Sequence, residues 1–502
     1  MRLILLALSL MTCEGFYARA AAETNAAPFS FDRLRQQAAE LAKSAYAPPS
    51  RPLPDFLGKL SYDQYQVIHF RPGSGPWSAE DLRFDVAFMH RGFLFKDPVA
   101  IHLVESGQAR RWGFSPSQFD YGKLNLASPI PAGIDFAGFK ILFTNQMARK
   151  WDEVASFLGA SYFRLVGTRQ HYGASGRVLA VDTGAPAGEE FPRLTQFWIE
   201  RPASLSDQVQ VFGLLDSPSA AGACRFLIAA GEETSADVEI CLYPRVTNKK
   251  FGFAPLTSMF LMGENRTRYI PDFRPEVHDS DGLLISSANG WEWRPLENPV
   301  KVHRITRYSP RGVKGFGLLQ RDRAFENYQD LAGRYEMRPS LWVDLIGTNW
   351  TGAVELVEIP TPNEYHDNIV AYWVPDQTLE AGKELRYRYR ISALSKQPPA
   401  PLAKVASTRI NPAQENRPAR FIVDFAEMPL EGKDPPGKVQ ARVAASRGAV
   451  KNLVAEPNDM TGGWRAFFDW EGAGNEPAEL RLTLMAGERA ISETWVYAPS
   501  LP

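Results

Sequence analysis

Cysteine is scarce in this 502-residue chain, with only Cys13, Cys224 and Cys241. No zinc or iron–sulfur ligand set can be spaced from three such scattered residues. A surplus of one charge is also missing: Lys and Arg number 56, Asp and Glu 57, for a formal net charge of −1. Binding a phosphate backbone needs a basic excess, so nucleic acid is not expected as a partner. No Gly-rich phosphate cradle or nucleotide motif occurs, so the chain is not expected to use a nucleotide sugar itself. After the first residues no run of about 18 apolar residues appears, and a mature chain without a transmembrane segment is expected. No cofactor and no metal is expected.

The N-terminus reads as an export signal. Arg2 supplies the positive region, Leu3 to Met11 the apolar one, and Ala18-Arg19-Ala20-Ala21-Ala22 the small residues for cleavage. Residues 1–22 are taken as the signal peptide; they contain Cys13 and lack a twin-Arg pair. Cys224 and Cys241 then remain. Gly231-Glu232-Glu233-Thr234 reads as a turn, and counting outward from it sets these two cysteines roughly opposite on paired strands. A disulfide and a pair of buried free thiols both fit that placement.

Composition is globular, with 44% hydrophobic and 23% charged residues, which rules out general disorder. The length calls for two or three domains. One helix is expected over Ser30 to Tyr46, with Ser30 as N-cap and Pro48-Pro49 beyond its end. A second is expected from Asn145 to Leu158, on the spacing of Met147, Trp151, Val154, Phe157 and Leu158. Elsewhere the period is two. Leu82, Phe84, Val86 and Phe88 alternate with other residues, as do Leu385, Tyr387, Tyr389 and Ile391, and Leu480, Leu482 and Leu484. Such runs predict packed antiparallel sheets, a mainly β fold. Gln397-Pro398-Pro399-Ala400-Pro401 reads as a stiff linker within 394–406. It divides a large domain over 23–393 from an immunoglobulin-like sandwich over 407–502.

Aromatic residues make up 12% of the chain and include 12 Trp. Two His-Asp pairs stand near them. His366-Asp367-Asn368 leads into Ile369-Val370-Ala371-Tyr372-Trp373, and His278-Asp279 precedes Gly290-Trp291-Glu292-Trp293-Arg294. Carboxylates move protons and flat rings hold pyranose faces, so the combination suits a sugar-processing cleft. Taken alone, Asp367 reads more readily as an Asx-turn residue entering a strand. Asp279-Ser280-Asp281-Gly282 reads equally as a turn; the acidic ligands of a calcium loop are missing. Trp291, Trp293, Trp342 and Trp373 are candidate sugar platforms, with Tyr372 beside them. Arg164 and Arg321 are candidate hydrogen-bonders in the cleft.

Several longer runs carry a resemblance. They include Leu158-Gly159-Ala160-Ser161-Tyr162-Phe163-Arg164, Phe197-Trp198-Ile199-Glu200-Arg201-Pro202, Arg274-Pro275-Glu276-Val277-His278-Asp279-Ser280, Gly315-Phe316-Gly317-Leu318-Leu319-Gln320-Arg321 and Asp367-Asn368-Ile369-Val370-Ala371-Tyr372-Trp373. Over nearly the whole mature chain they resemble the periplasmic glucan biosynthesis proteins G and D of Gram-negative bacteria; the export signal is more similar to that of protein G. The resemblance implies periplasmic location and a role in making osmoregulated periplasmic glucans with a β-1,2-linked backbone. It implies a galactose-mutarotase-like N-terminal β-sandwich before the immunoglobulin-like one. It further implies an inverting glycoside hydrolase mechanism, with Asp367 as general acid and Asp279 as candidate general base, acting directly or through waters and hydroxyls. The alternative it leaves is a non-catalytic glucan-binding scaffold that serves a membrane glucosyltransferase.

Overall fold

The structure is a computed structural model that describes residues 26–499, except 50, 146–149, 248, 348–349, 399, 401, 415–416, 428–438 and 473–477. The expected signal peptide, Pro399 and Pro401 lie outside the described residues. The fold is mainly β, as the period-two runs require. Two large sheets, one sixteen-stranded and one ten-stranded, dominate it. They share one core. Phe157 of the ten-stranded sheet meets Phe226 of the other edge to face at 5.1 Å, and Phe139 meets Phe197 at 4.9 Å. Among the described residues no helix is long and apolar enough to cross a membrane.

The first helix forms over Phe31–Ala42, with the Ser30 hydroxyl accepting from the Arg33 N–H at its N-cap. It stops short of the prolines, capped at Lys43. Leu34 and Ala38 are buried on the outer face of the large sheet, among Trp198, Phe212 and Tyr243. The second expected helix is overturned. Lys150–Leu158 is a strand, and residues 146–149 fall outside the described residues. Its register with Gly138–Asn145 shifts between Ile141 and Leu142, because Val154 is an extra residue. That bulge turns a spacing of two into the spacing of three between Val154 and Phe157, both buried, and so imitates a helical face.

The two cysteines sit on paired strands but are not opposite. Ala223 opposes Cys241, and Cys224 opposes Ile240. Successive strand residues point to opposite faces. Cys224 therefore packs in the inter-sheet core and Cys241 beneath the helix, as two buried free thiols.

Strands beyond Val405 build a four-stranded sheet and extend the large sheet. The extension runs through a parallel pairing in which Glu292 opposes Thr494 and Trp293 opposes Trp495. The C-terminal core is accordingly shared: Leu284, Trp293, Leu319 and Trp342 pack with Phe421, Phe468, Trp495 and Tyr497. Arg321 closes this junction. Its guanidinium lies 3.5 Å over the Trp293 ring and donates to Glu493 and to the Val405 carbonyl, at 2.8–2.9 Å. Glu493 is wholly buried. Arg321→Ala would strand that carboxylate, and a loss of about 3–5 kcal/mol is expected in chemical denaturation. A loss under 1 kcal/mol would show that the junction does not depend on this pair.

Candidate functional site

Four neighbouring strands of the ten-stranded sheet bring the site together: Ile369–Pro375, Phe251–Ser258, Ser175–Arg177 and Tyr162–Leu165. Asp367 stands just before the first, and Arg164, Arg177 and Thr257 lie on the others. Beside this face a short hairpin pairs Phe260–Met262 with Val277–His278 and delivers Asp279 at its end.

Three consecutive residues hold both carboxylates in place. The Ser258 carbonyl accepts from the Asn368 N–H at 3.1 Å, and the Met259 carbonyl accepts from the Asp279 N–H at 2.8 Å. The Phe260 N–H donates to the Asn368 side-chain oxygen at 2.8 Å. Asn368 returns two bonds, to the Phe260 and Ile359 carbonyls, each at 3.0 Å. Ser258 and Ser280 hydroxyls meet at 2.8 Å below. Asn368 is buried, so it serves as a bracket rather than as a ligand.

The electrostatics follow from this packing. Asp367 is open to solvent, yet protein encloses it on its other sides, and that burial pushes its pKa up. Arg164, Arg177, Arg338 and His366 pull the other way. Asp279 is buried and its pKa is also raised, first by burial and then by the Asp367 charge, against the pull of Arg338 and Arg164. The Asp367 charge reaches Asp279, and Arg164 and Arg338 act on both carboxyl groups, so the two belong to one electrostatic neighbourhood. Arg338 is ion-paired with Asp279 and covers the Tyr335 ring at 3.9 Å.

The surroundings are ordered. Arg177 is buried and donates to Thr257 at 3.0 Å and to Glu189 at 2.6 Å. Its guanidinium lies 5.1 Å from the Tyr162 ring and 5.7 Å from Phe191. Arg164 is exposed and lies 6.0 Å from the Tyr172 ring. Phe191 and Tyr172 are themselves about half exposed.

Of the residues singled out from sequence, Asp367, Asp279 and Arg164 come together. The candidate platforms do not. Trp373 is fully buried between Phe253, Trp350 and Tyr387. Trp293 and Trp342 are buried in the core shared with the C-terminal unit. Trp291 is half-buried and stacks on Trp342 at 5.8 Å. The three buried rings have no face to offer a sugar, and the half-buried Trp291 packs against the core shared with the C-terminal unit. Tyr372 is buried as well; its hydroxyl donates to Glu355 at 3.0 Å. Arg321 belongs to the inter-unit junction. Arg338, Arg177, Tyr162 and Tyr335 were missed, because no local pattern distinguishes an arginine that will face a carboxylate distant in sequence.

Behind Asp279 lies a second polar cluster. Gln320 donates to the carbonyls of His278 and Tyr335, which fixes its oxygen as acceptor for the His278 Nδ1–H. His278 Nε2 then faces Glu276 at 2.9 Å and Asp281 at 3.5 Å. The three ligand atoms of Glu276, His278 and Asp281 lie within 4.8 Å of one another, a spacing that could hold a metal ion. A protonated imidazole satisfies the same geometry: the neighbouring carboxylates outweigh burial and raise the His278 pKa to about 9.

Two expectations test the site. Asn368→Ala would leave the buried Phe260 N–H and two carbonyls without partners, and a loss of about 2–4 kcal/mol is expected in chemical denaturation. Asp367→Asn should not destabilise. With its folded pKa above the unfolded one, Asp367 favours the fold below its unfolded pKa; that contribution is lost as pH rises through the folded pKa. Above its unfolded pKa the carboxyl is therefore a cost to the fold, and at neutral pH the Asn variant should melt at the same temperature or higher. A lower melting temperature would contradict this account.

The family model described as "Periplasmic glucan biosynthesis protein, MdoG" matches residues 29–499. A glucans biosynthesis protein G of Rhodopseudomonas palustris is 46% identical over 482 residues, covering 95% of each chain. A glucans biosynthesis protein D 1 of Ralstonia nicotianae is 44% identical, covering 94% of this chain and 91% of its own. A probable glucans biosynthesis protein D of Shewanella oneidensis is 42% identical, covering 98% of this chain and 92% of its own.

Proposed function

The chain belongs to the periplasmic glucan biosynthesis protein family, and from that premise we propose that it works in the periplasm on β-1,2-linked glucan. It cleaves or processes this polymer by an inverting mechanism, with Asp367 as general acid and Asp279 as candidate general base. The observation that carries the reading is the pair itself: two carboxyl groups from distant segments, held by one stretch of backbone, each with a raised pKa.

Glycosidic bond cleavage needs a proton for the leaving oxygen and a base for the attacking water on the other face. Burial favours the protonated form of Asp367, which is what an acid requires. Asp367 also remains open to solvent, so a polymer can reach it. Asp279 is less free. Arg338 is ion-paired with it, so its action on water passes through intervening waters or hydroxyls. Arg164 is exposed and within electrostatic reach of both carboxylates; it orients sugar hydroxyls. Polymerisation of glucose belongs to a membrane glucosyltransferase, since the chain carries no nucleotide-sugar motif.

The same arginines favour the second reading, a non-catalytic glucan-binding scaffold. Arg164, Arg177 and Arg338 all stabilise the ionised form of Asp367, and an ionised carboxylate binds hydroxyls but donates no proton. The two readings separate on linear β-1,2-glucan. Wild type should shorten it, and Asp367→Asn should slow shortening by at least about 100-fold. The wild-type rate should fall as pH rises past the Asp367 pKa, because the acid is then ionised. Binding by both proteins with shortening by neither would establish the scaffold.

A further inference from the structure

Large apolar side chains stand almost fully exposed around one ion-pair hub. Arg274 bonds to Asp272 and Asp330, each at 2.8 Å, and also to Glu364. It thereby ties together the loops that carry Phe273, Leu331 and Tyr365. These three side chains are 80%, 80% and 84% exposed. Scattered exposed apolar residues need no explanation, but a group of them on one fixed rim does. Nor do they serve the fold: a ring in water contributes little to stability. The Arg274 side chain is 12% exposed, so the loops are pinned while the rings project.

The rim is continuous with the carboxylate site. Tyr365 stands two residues before Asp367 on the same loop. Glu364 and Arg274 both act electrostatically on Tyr335, the ring that Arg338 covers beside Asp279. Phe273 and Tyr365 also have what the buried tryptophans lack, an exposed ring, although the Arg274 guanidinium lies 5.9 Å from the Phe273 ring on one side. The C–H face of a pyranose ring is apolar and packs flat on an aromatic ring, while its hydroxyls stay in water.

We propose that Phe273 and Tyr365 are stacking platforms for glucose rings of a bound glucan, on the Asp367 side of the site. This rests on the glucan reading above. The rings lie outside the reacting pair, so they engage units away from the bond and favour long chains over short ones. Arg274 holds the platforms in fixed relation to the acid.

The test uses the full mature protein in an Asp367→Asn background, so that the polymer is not consumed. Phe273→Ala, Tyr365→Ala and the double variant are titrated calorimetrically with long linear β-1,2-glucan and with its disaccharide. Met460→Ala, an exposed apolar change in the C-terminal unit, serves as control. Melting temperatures should be unchanged throughout, since the side chains are exposed. The double variant should lose about tenfold or more in affinity for the long glucan, the summed worth of two ring contacts. Its affinity for the disaccharide should change by less than about threefold, and the control should match the parent. If the parent binds long glucan and the double variant binds it equally well, the platforms are overturned while the glucan reading stands. If the parent binds no glucan at all, both fall together.

Discussion

Ser258-Met259-Phe260 is the stretch on which the site depends. Three successive residues offer backbone groups to the segments carrying Asp367 and Asp279, which lie far apart in the chain. A carboxyl on a free loop would spend its time in many positions. Hung from one rigid strand end, two carboxyls keep a fixed relation without any contact between them. Asn368 makes this possible. Its amide satisfies both a donor and two acceptors in a place too buried for water to do so. The run Asp-Asn therefore divides its labour: the first residue faces solvent and the second fastens the loop.

Charge at the site is a balance. Protein mass around Asp367 and Asp279 favours their neutral forms, and the arginines around them favour the ionised ones. Burial is the larger effect in both, so the arginines restrain the upward shift without cancelling it. The arginines are themselves fixed. Arg177 is held by Thr257 and Glu189, and Arg338 bonds to the Gly333 carbonyl as well as to Asp279. A site built this way is preorganised, with its charges already held in place.

Much of this was legible in the sequence, and the limits have physical causes. Ser30 announces the helix because a capping hydroxyl acts locally. Leu385, Tyr387, Tyr389 and Ile391 announce a strand because alternation is a property of the backbone. Asp367 is singled out by a long run that resembles the family, not by its immediate neighbours. The strand at 150–158 was misread because a single bulged residue, Val154, breaks alternation. The tryptophans were misjudged for a different reason. Trp291 and Trp293 do share a face, as their spacing of two requires. What covers that face is a C-terminal unit roughly two hundred residues later, and pairing at such a distance leaves no trace in local pattern.

The parallel pairing of Gly290–Pro295 with Thr494–Tyr497 has a mechanical meaning. The last described strand is a rung of the same ladder whose other rungs belong to the N-terminal half, so the C-terminal unit is not a pendant on a tether. Peeling it away would bare Trp293, Trp342, Leu284 and Leu319 at once and leave an open strand edge beside them. A truncated N-terminal half would be a sticky, edge-exposed body prone to self-association. The two halves share one core, so a cut within Thr494–Tyr497 would open both sides of it.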